Sequence, residues 1–186
     1  MSNFKCAFSS DGILPIKNRI LVIGDLHADF NKTKELFIHF SLIDVNENWI
    51  ASPKDTVVVQ LGDQMDGGGR GEAESFGELD LINFMDRIHL KAEIDGGGVY
   101  SLIGNHEIMN LLGDFRYAST KDIQIQGGIQ KRQQLFSPGS DIFNKMSCTR
   151  NVILKIGDFI FVHAGILPEH INPNEKTEFI KKLNKL

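Results

Sequence analysis

The chain has 186 residues, 41% hydrophobic and 24% charged, with a formal net charge of -4. That length suits one domain with a sizeable core, so residues 1–186 are read as a single domain. The acidic balance offers no field to attract nucleic acid, and no apolar run approaches the roughly 20 residues of a membrane helix, so neither partner is expected.

Met1-Ser-Asn-Phe-Lys-Cys-Ala-Phe8 lacks the apolar core of a secretory signal, which predicts a cytoplasmic protein. Cys6 and Cys148 are too few for a disulfide framework and are expected as reduced thiols. Residues 1–18 show little periodicity, and Ser9-Ser-Asp-Gly12 is a turn cluster, so a loop or loose strand precedes the sheet. Arg19-Ile-Leu-Val-Ile23 reads as a strand. Asp29-Phe-Asn31 can cap a helix through Phe40 with Leu36, Phe37 and Phe40 as its apolar stripe, leaving His39 in solvent.

Ser52-Pro-Lys-Asp55 punctuates the chain before a second strand at Thr56-Val-Val-Val59. Gly67-Gly-Gly-Arg-Gly71 is a flexible loop whose Arg70 could swing over an anion, because guanidinium pairs bidentately with phosphate. From Glu78 to Ala92, the positions of Leu81, Phe84, Met85 and Ile88 predict a crossover helix with His89 on the surface. Val99, Leu102 and Ile103 then form a third strand. This strand, helix, strand order requires a parallel sheet.

The pattern weakens from Met109 to Phe136, with a helix interrupted at Gly127-Gly128. Ser140 can cap a helix carrying Ile142, Phe143 and Met146. Two strands flanking Gly157-Asp158 read as an antiparallel hairpin, so the sheet structure is mixed. Residues 174–186 close with a helix bearing Phe179, Ile180, Leu183 and Leu186.

Four apolar strands end alike. They run into Gly24-Asp-Leu-His27, Gly62-Asp-Gln-Met-Asp66, Gly104-Asn-His-Glu107 and His163-Ala-Gly165, each delivering a carboxylate, an imidazole or both. Ligands sit at the carboxyl ends of strands in open α/β sheets, and a buried sheet gains nothing from acids and histidines gathered there. Gly104 is read as the sharp turn that projects Asn105 and His106. Asp25, His27, Asp63, Asn105 and His163 form an oxygen and nitrogen donor set suited to Mn, Fe or Zn, and the absence of a Cys cluster argues against structural zinc or iron–sulfur.

These four ordered motifs resemble the calcineurin-like metallophosphoesterases over residues 20 to 170. Gly104-Asn-His-Glu-Ile-Met-Asn110, Gly113-Asp-Phe-Arg-Tyr117, Leu135-Phe-Ser-Pro-Gly139 and Val162-His-Ala-Gly-Ile-Leu-Pro-Glu-His170 look most like the Shewanella-like protein phosphatases. The resemblance implies a mixed β-sheet sandwich with flanking helices, the αββα fold. It implies two divalent metal ions, with Asp25 and His27 on the first, Asp63 bridging, and Asn105 and His163 on the second. His106 would be the general acid, oriented by Asp66. Two cations about 3.5–4 Å apart lower the pKa of a shared water, which attacks phosphorus in line.

Two departures qualify the expectation. The family typically has Arg directly after the residue at Asp66; here Gly67 follows, so phosphate binding would fall to Arg70 or Arg116. The fold also usually continues to a further histidine ligand, so the carboxyl-terminal part is expected to be missing, with His170 read as a loop residue. The expected activity is a metal-dependent phosphoprotein phosphatase acting on a phosphorylated protein or a small phosphoester. The alternatives are a dinucleoside polyphosphate hydrolase and a non-catalytic fragment that binds phosphorylated partners.

Overall fold

The computed structural model describes residues 6, 8, 11–68, 77–171 and 178–185. Strands β2 (Ile20–Ile23), β3 (Val57–Gln60), β4 (Gly98–Leu102) and β5 (Arg150–Asn151) form an all-parallel sheet in the order β2-β3-β4-β5. Helices α1 (Phe30–His39) and α2 (Glu78–Glu93) make the crossovers between its first three strands, as the strand, helix, strand pattern predicts. A second sheet, in the order β1-β6-β7, joins β1 (Ile13–Leu14), parallel to β6 (Ile153–Ile156), with β7 (Phe159–Val162), antiparallel to β6. The expected mixed strand directions are thus divided between two sheets.

The period-2 alternation of β3 explains the layering. Val58 packs with Val99 against Phe37, Leu81, Phe84, Met85 and Ile88 of the two crossover helices. Val57 and Val59 face the other way, meeting Leu102, Leu154 and Ile156 between the sheets. Helix α7 (Glu178–Leu183) covers the outer face of the second sheet, where Phe179 and Ile180 pack on Ile153. The result is helices, sheet, sheet and helix, the expected αββα arrangement. Helices α3 (Asn105–Leu111), α4 (Thr120–Ile125) and α5 (Ile129–Phe136) occupy the weakly patterned stretch, with the expected break at Gly127-Gly128, and α6 (Asp141–Thr149) is the helix expected after Ser140.

Local chemistry sets the helix starts. The Asp29 side chain accepts from the Lys32 amide, and Ser140 accepts from that of Phe143, each satisfying an N–H left open in a first turn. Among the described residues no helix is long and apolar enough to cross a membrane.

Three expectations are corrected. Phe40 is exposed because it is the residue that ends α1, so the buried side chains of that helix are Thr33 and Phe37. His89 is only 2% exposed, stacked on Phe8 at 3.7 Å and edge-on to Tyr100 at 4.8 Å, with Nδ1 2.8 Å from the Val99 carbonyl oxygen. Burial holds its imidazole below the ordinary range, against the opposing effect of that carbonyl. Cys6 and Cys148 are joined in a disulfide across 142 residues of sequence, with Cα atoms 6.1 Å apart, and are not free thiols.

Candidate metal centre

The carboxyl ends of β2, β3, β4 and β7 converge. Two groups of side chains there have donor atoms within 4.8 Å of one another, His27 with Asp63 and His106, and Asp25 with Asp63 and His163. Asp63 belongs to both. Its Oδ1 accepts from the His106 amide at 3.0 Å, and its Oδ2 lies 3.5 Å from His163 Nε2 and 3.9 Å from His106 Nε2. Asn105 Oδ1 is 3.0 Å from His163 Nε2, and Asp25 Oδ2 is 3.6 Å from His27 Nε2.

The three imidazoles are held in the same way. Nδ1 lies 3.1 Å from the Met65 carbonyl in His27, 2.8 Å from the Leu61 carbonyl in His163, and 2.9 Å from Asp66 Oδ2 in His106. An oxygen acceptor on Nδ1 leaves Nε2 to face the shared carboxylate, which is how a protein fixes a ligating or proton-carrying imidazole. The ion pairs of Asp63 among the described residues are with imidazoles. A largely buried carboxylate so placed, ringed by Nε2 atoms and a second carboxylate, fits divalent cations by its donor chemistry.

Two glycines let the strands come this close. A Cβ on Gly62 would lie 2.7 Å from the Gly104 amide nitrogen, and one on Gly104 would lie 2.2 Å from Asp63 Oδ1. Gly104 has φ -104°, which any residue can adopt, so its role is close approach to Asp63 and not the sharp turn expected of it. Four non-glycine residues at the site have left-handed backbone: His27 (φ 44°), Ala28 (φ 63°), Asp63 (φ 55°) and Asp66 (φ 64°). Each costs on the order of 1–3 kcal/mol and persists only where surrounding contacts dictate it.

Glu107 supplies that constraint at Asp63. As the third residue of α3 it reaches back to its own helix start, Oε2 accepting from the amides of Gly104 and Asp63, both at 2.7 Å. Its Oε1 accepts from Gln64 at 2.7 Å and Met65 at 3.3 Å. Burial pushes this carboxyl above the usual range, while the amides of Gly104, Asp63 and Gln64 pull it back. Behind His106, Asp66 is also held by Asn110 Nδ2 at 2.8 Å and by Arg132 Nη2 at 3.3 Å.

Sequence reasoning gave Glu107, Asn110, Arg132 and Tyr117 no role. Glu107 carried a readable signal, an acid three residues after a helix start. Arg132 carried none, because Asn110, Glu78 and Asp66, the partners that tie it to the site, lie 22, 54 and 66 residues away. Tyr117 puts its ring 5.1 Å from that of His106, so the segment bearing Arg116 borders the site. Arg116 itself is exposed and pairs with Asp114, Nε to Oδ1 at 2.9 Å and Nη2 to Oδ2 at 2.8 Å. Arg70 lies outside the described residues. His170 is exposed and belongs to neither donor group, although it lines the same cavity of about 400 Å³ as Asn105 and His163, walled by Ile108, Val162 and Ile166.

The chain is similar to known phosphatases. Shewanella-like protein phosphatase 2 of Arabidopsis thaliana is 30% identical over 195 residues, covering 82% of this chain and 48% of the relative. Shewanella-like protein phosphatase 1 of Plasmodium berghei is 29% identical over 150 residues, covering 80% and 39%. A solved cold-active protein tyrosine phosphatase superposes with a TM-score of 0.75 at 24% identity, covering 96% of this chain and 51% of that one, a likeness of fold. The chain spans about half the length, or less, of these relatives. The calcineurin-like phosphoesterase family model matches residues 18–185, which include all four strand-end motifs, and the chain belongs to that family.

Proposed function

We propose that this chain carries the metal-binding and proton-donating residues of a phosphoric monoester hydrolase whose substrate is a phosphorylated protein. The observation that carries the reading is the buried Asp63 carboxylate, which belongs to both donor groups, with Asp25 beside His27, Asn105 beside His163 and the His106–Asp66 pair next to them. Asp25 and His27 would hold one divalent cation, Asn105 and His163 a second, and Asp63 both, with Mn the metal of choice for this oxygen-rich set. Such cations, when bound, supply a water of lowered pKa and neutralise phosphate charge.

The chain's own residues do the rest. His106 presents Nε2 toward Asp63 while Asp66 holds Nδ1, so its proton can pass to the departing ester oxygen and release an alcohol. The Tyr117 ring stands beside that of His106, centroids 5.1 Å apart and tilted by 58°, and would flank a leaving group that takes the proton. The names of the relatives, protein phosphatases and a protein tyrosine phosphatase, support a phosphoprotein substrate. A second reading has its own observation: His106 lies in one donor group with His27 and Asp63, and a carboxylate behind a histidine also suits a metal ligand.

One experiment separates the two. His106→Asn should keep its metals and lose roughly 10²–10⁴-fold in turnover of an alkyl phosphate, and less with an aryl phosphate, whose leaving group needs no proton. Loss of metal would assign His106 as a ligand. Equal loss on both substrates with metal retained would remove it as the proton donor.

A further inference from the structure

Arg132 is completely buried, and burying a guanidinium is costly unless its donors are all engaged. Here they are. Nη1 donates to Glu78 Oε1 and to Gln126 Oε1, the latter at 2.9 Å. Nη2 donates to Asn110 Oδ1 at 2.5 Å, Asp66 Oδ1 at 3.3 Å and Glu78 Oε2 at 3.3 Å, and Nε reaches Asn110 Oδ1 at 3.2 Å. The guanidinium carbon also lies 5.2 Å from the Phe115 ring centroid and 4.9 Å from that of Phe136, which leaves the group no room to swing.

The contacts converge on Asp66. Its Oδ2 takes both His106 Nδ1 and Asn110 Nδ2, and its Oδ1 takes Arg132, so both oxygens are committed and the carboxylate has one orientation. Asn110 ties the same arginine to the His106 carbonyl, to which its Nδ2 donates at 2.9 Å. An arginine needed only to neutralise two buried acids would not have to share Asn110 with the backbone of His106, the residue that Asp66 holds.

We propose that Arg132 is a positioning residue, which fixes the His106 ring for proton donation by acting through Asp66 and Asn110. Helix α5, from the part of the chain with the weakest sequence pattern, thereby contributes to the reaction without touching substrate. The proposal rests on His106 being the proton donor, and its test is arranged so that the two can fail separately.

The 186-residue chain is assayed with saturating Mn on an alkyl and an aryl phosphate, as wild type, Arg132→Lys, Asn110→Ala, His106→Asn and the two doubles with His106→Asn. Lysine keeps the charge but cannot bridge Asp66 and Asn110. If Arg132 positions His106, Arg132→Lys lowers kcat on the alkyl phosphate roughly 10-fold, a fraction of the loss for removing the acid. It spares the aryl phosphate, KM and metal content, and adds less than about 2-fold once His106 is Asn. Asn110→Ala gives the same pattern and carries the test if the lysine variant does not fold. Equal losses on both substrates, or a loss undiminished in the His106→Asn background, would overturn the positioning role while leaving His106 in place. If His106→Asn itself shows no leaving-group dependence, both readings fall.

Discussion

The two donor groups share Asp63 and orient their imidazoles alike, yet they are built on different backing. His27, Asp63 and His106 are largely enclosed, and behind them stand Glu107, Asp66, Asn110 and Arg132, all buried. Asp25 and Asn105 are exposed, and His163 opens on the cavity walled by Ile108, Val162 and Ile166. The neighbouring layers differ in the same direction. Helices α1 and α2 bury β3 and its neighbours, leaving Val22 (50%) exposed on the edge strand β2, whereas β7 exposes both Phe159 (63%) and Ile160 (45%). The comparison teaches that donor geometry and donor rigidity are separate properties: both groups have the first, and only the enclosed one has a network that enforces the second.

The largest expected effect is at the residue the groups share. Asp63→Asn should lower occupancy of both cations, because it removes the charge between two ions that repel each other. The loss should exceed the roughly 10–100-fold typical of altering an outer orienting partner. Asp25→Asn should reduce mainly one ion. Metal content per chain after dialysis against limiting Mn checks this, and equal losses in the two variants would mean that Asp63 does not bridge.

That division also marks what the sequence made legible. Asp25, Asp63, Asn105 and His163 each follow an apolar run and sit at a strand end, a local pattern that the fold preserves. The starts of α1 and α6 were readable from Asp29 and Ser140 for the same reason. The backing network was not. Arg132 and the Cys6–Cys148 pair act across long sequence separations, where no periodicity carries information. β1 and β5 have two residues each, too short for an alternation to register, so the second sheet had no signal of its own beyond the hairpin.

A smaller effect tests whether Glu107 enforces the enclosed group. Glu107→Gln keeps the shape but turns an NH₂ toward amides of Gly104 and Asp63 or of Gln64 and Met65, leaving buried donors without an acceptor. Each such donor costs about 1–3 kcal/mol, and the left-handed backbone at Asp63 loses the contact that holds its amide. Denaturant unfolding of the metal-free protein should therefore show a loss of about 1–3 kcal/mol per unsatisfied donor. A change below about 0.5 kcal/mol, ordinary for a surface position, would mean that the enclosed group is held by something else.

The smallest expected effect lies on the sealed side but away from the metals, and asks whether that side is as closed as its packing implies. His89 stacks on Phe8 and carries a depressed pKa because burial disfavours its charged form. The charges around it are Glu93 and Asp86, which favour protonation, and Arg150, which opposes it. In the unfolded chain the same imidazole titrates near its ordinary value of 6.5. As pH falls through 6.5 the unfolded state takes up a proton that the folded state does not, so this group's contribution to stability is present above 6.5 and is lost on acidification. The slope from one group cannot exceed about 1.4 kcal/mol per pH unit. His89→Phe removes the titration and keeps a ring for Phe8 and Tyr100 to pack on. The variant's stability between pH 7 and 5, measured by urea unfolding, should decline less steeply than the wild type's, and the difference between the two curves isolates His89 from the carboxylates that titrate in both. Parallel curves would show that the imidazole takes up its proton in the folded protein as readily as in water, and that the Phe8 stack opens to admit solvent.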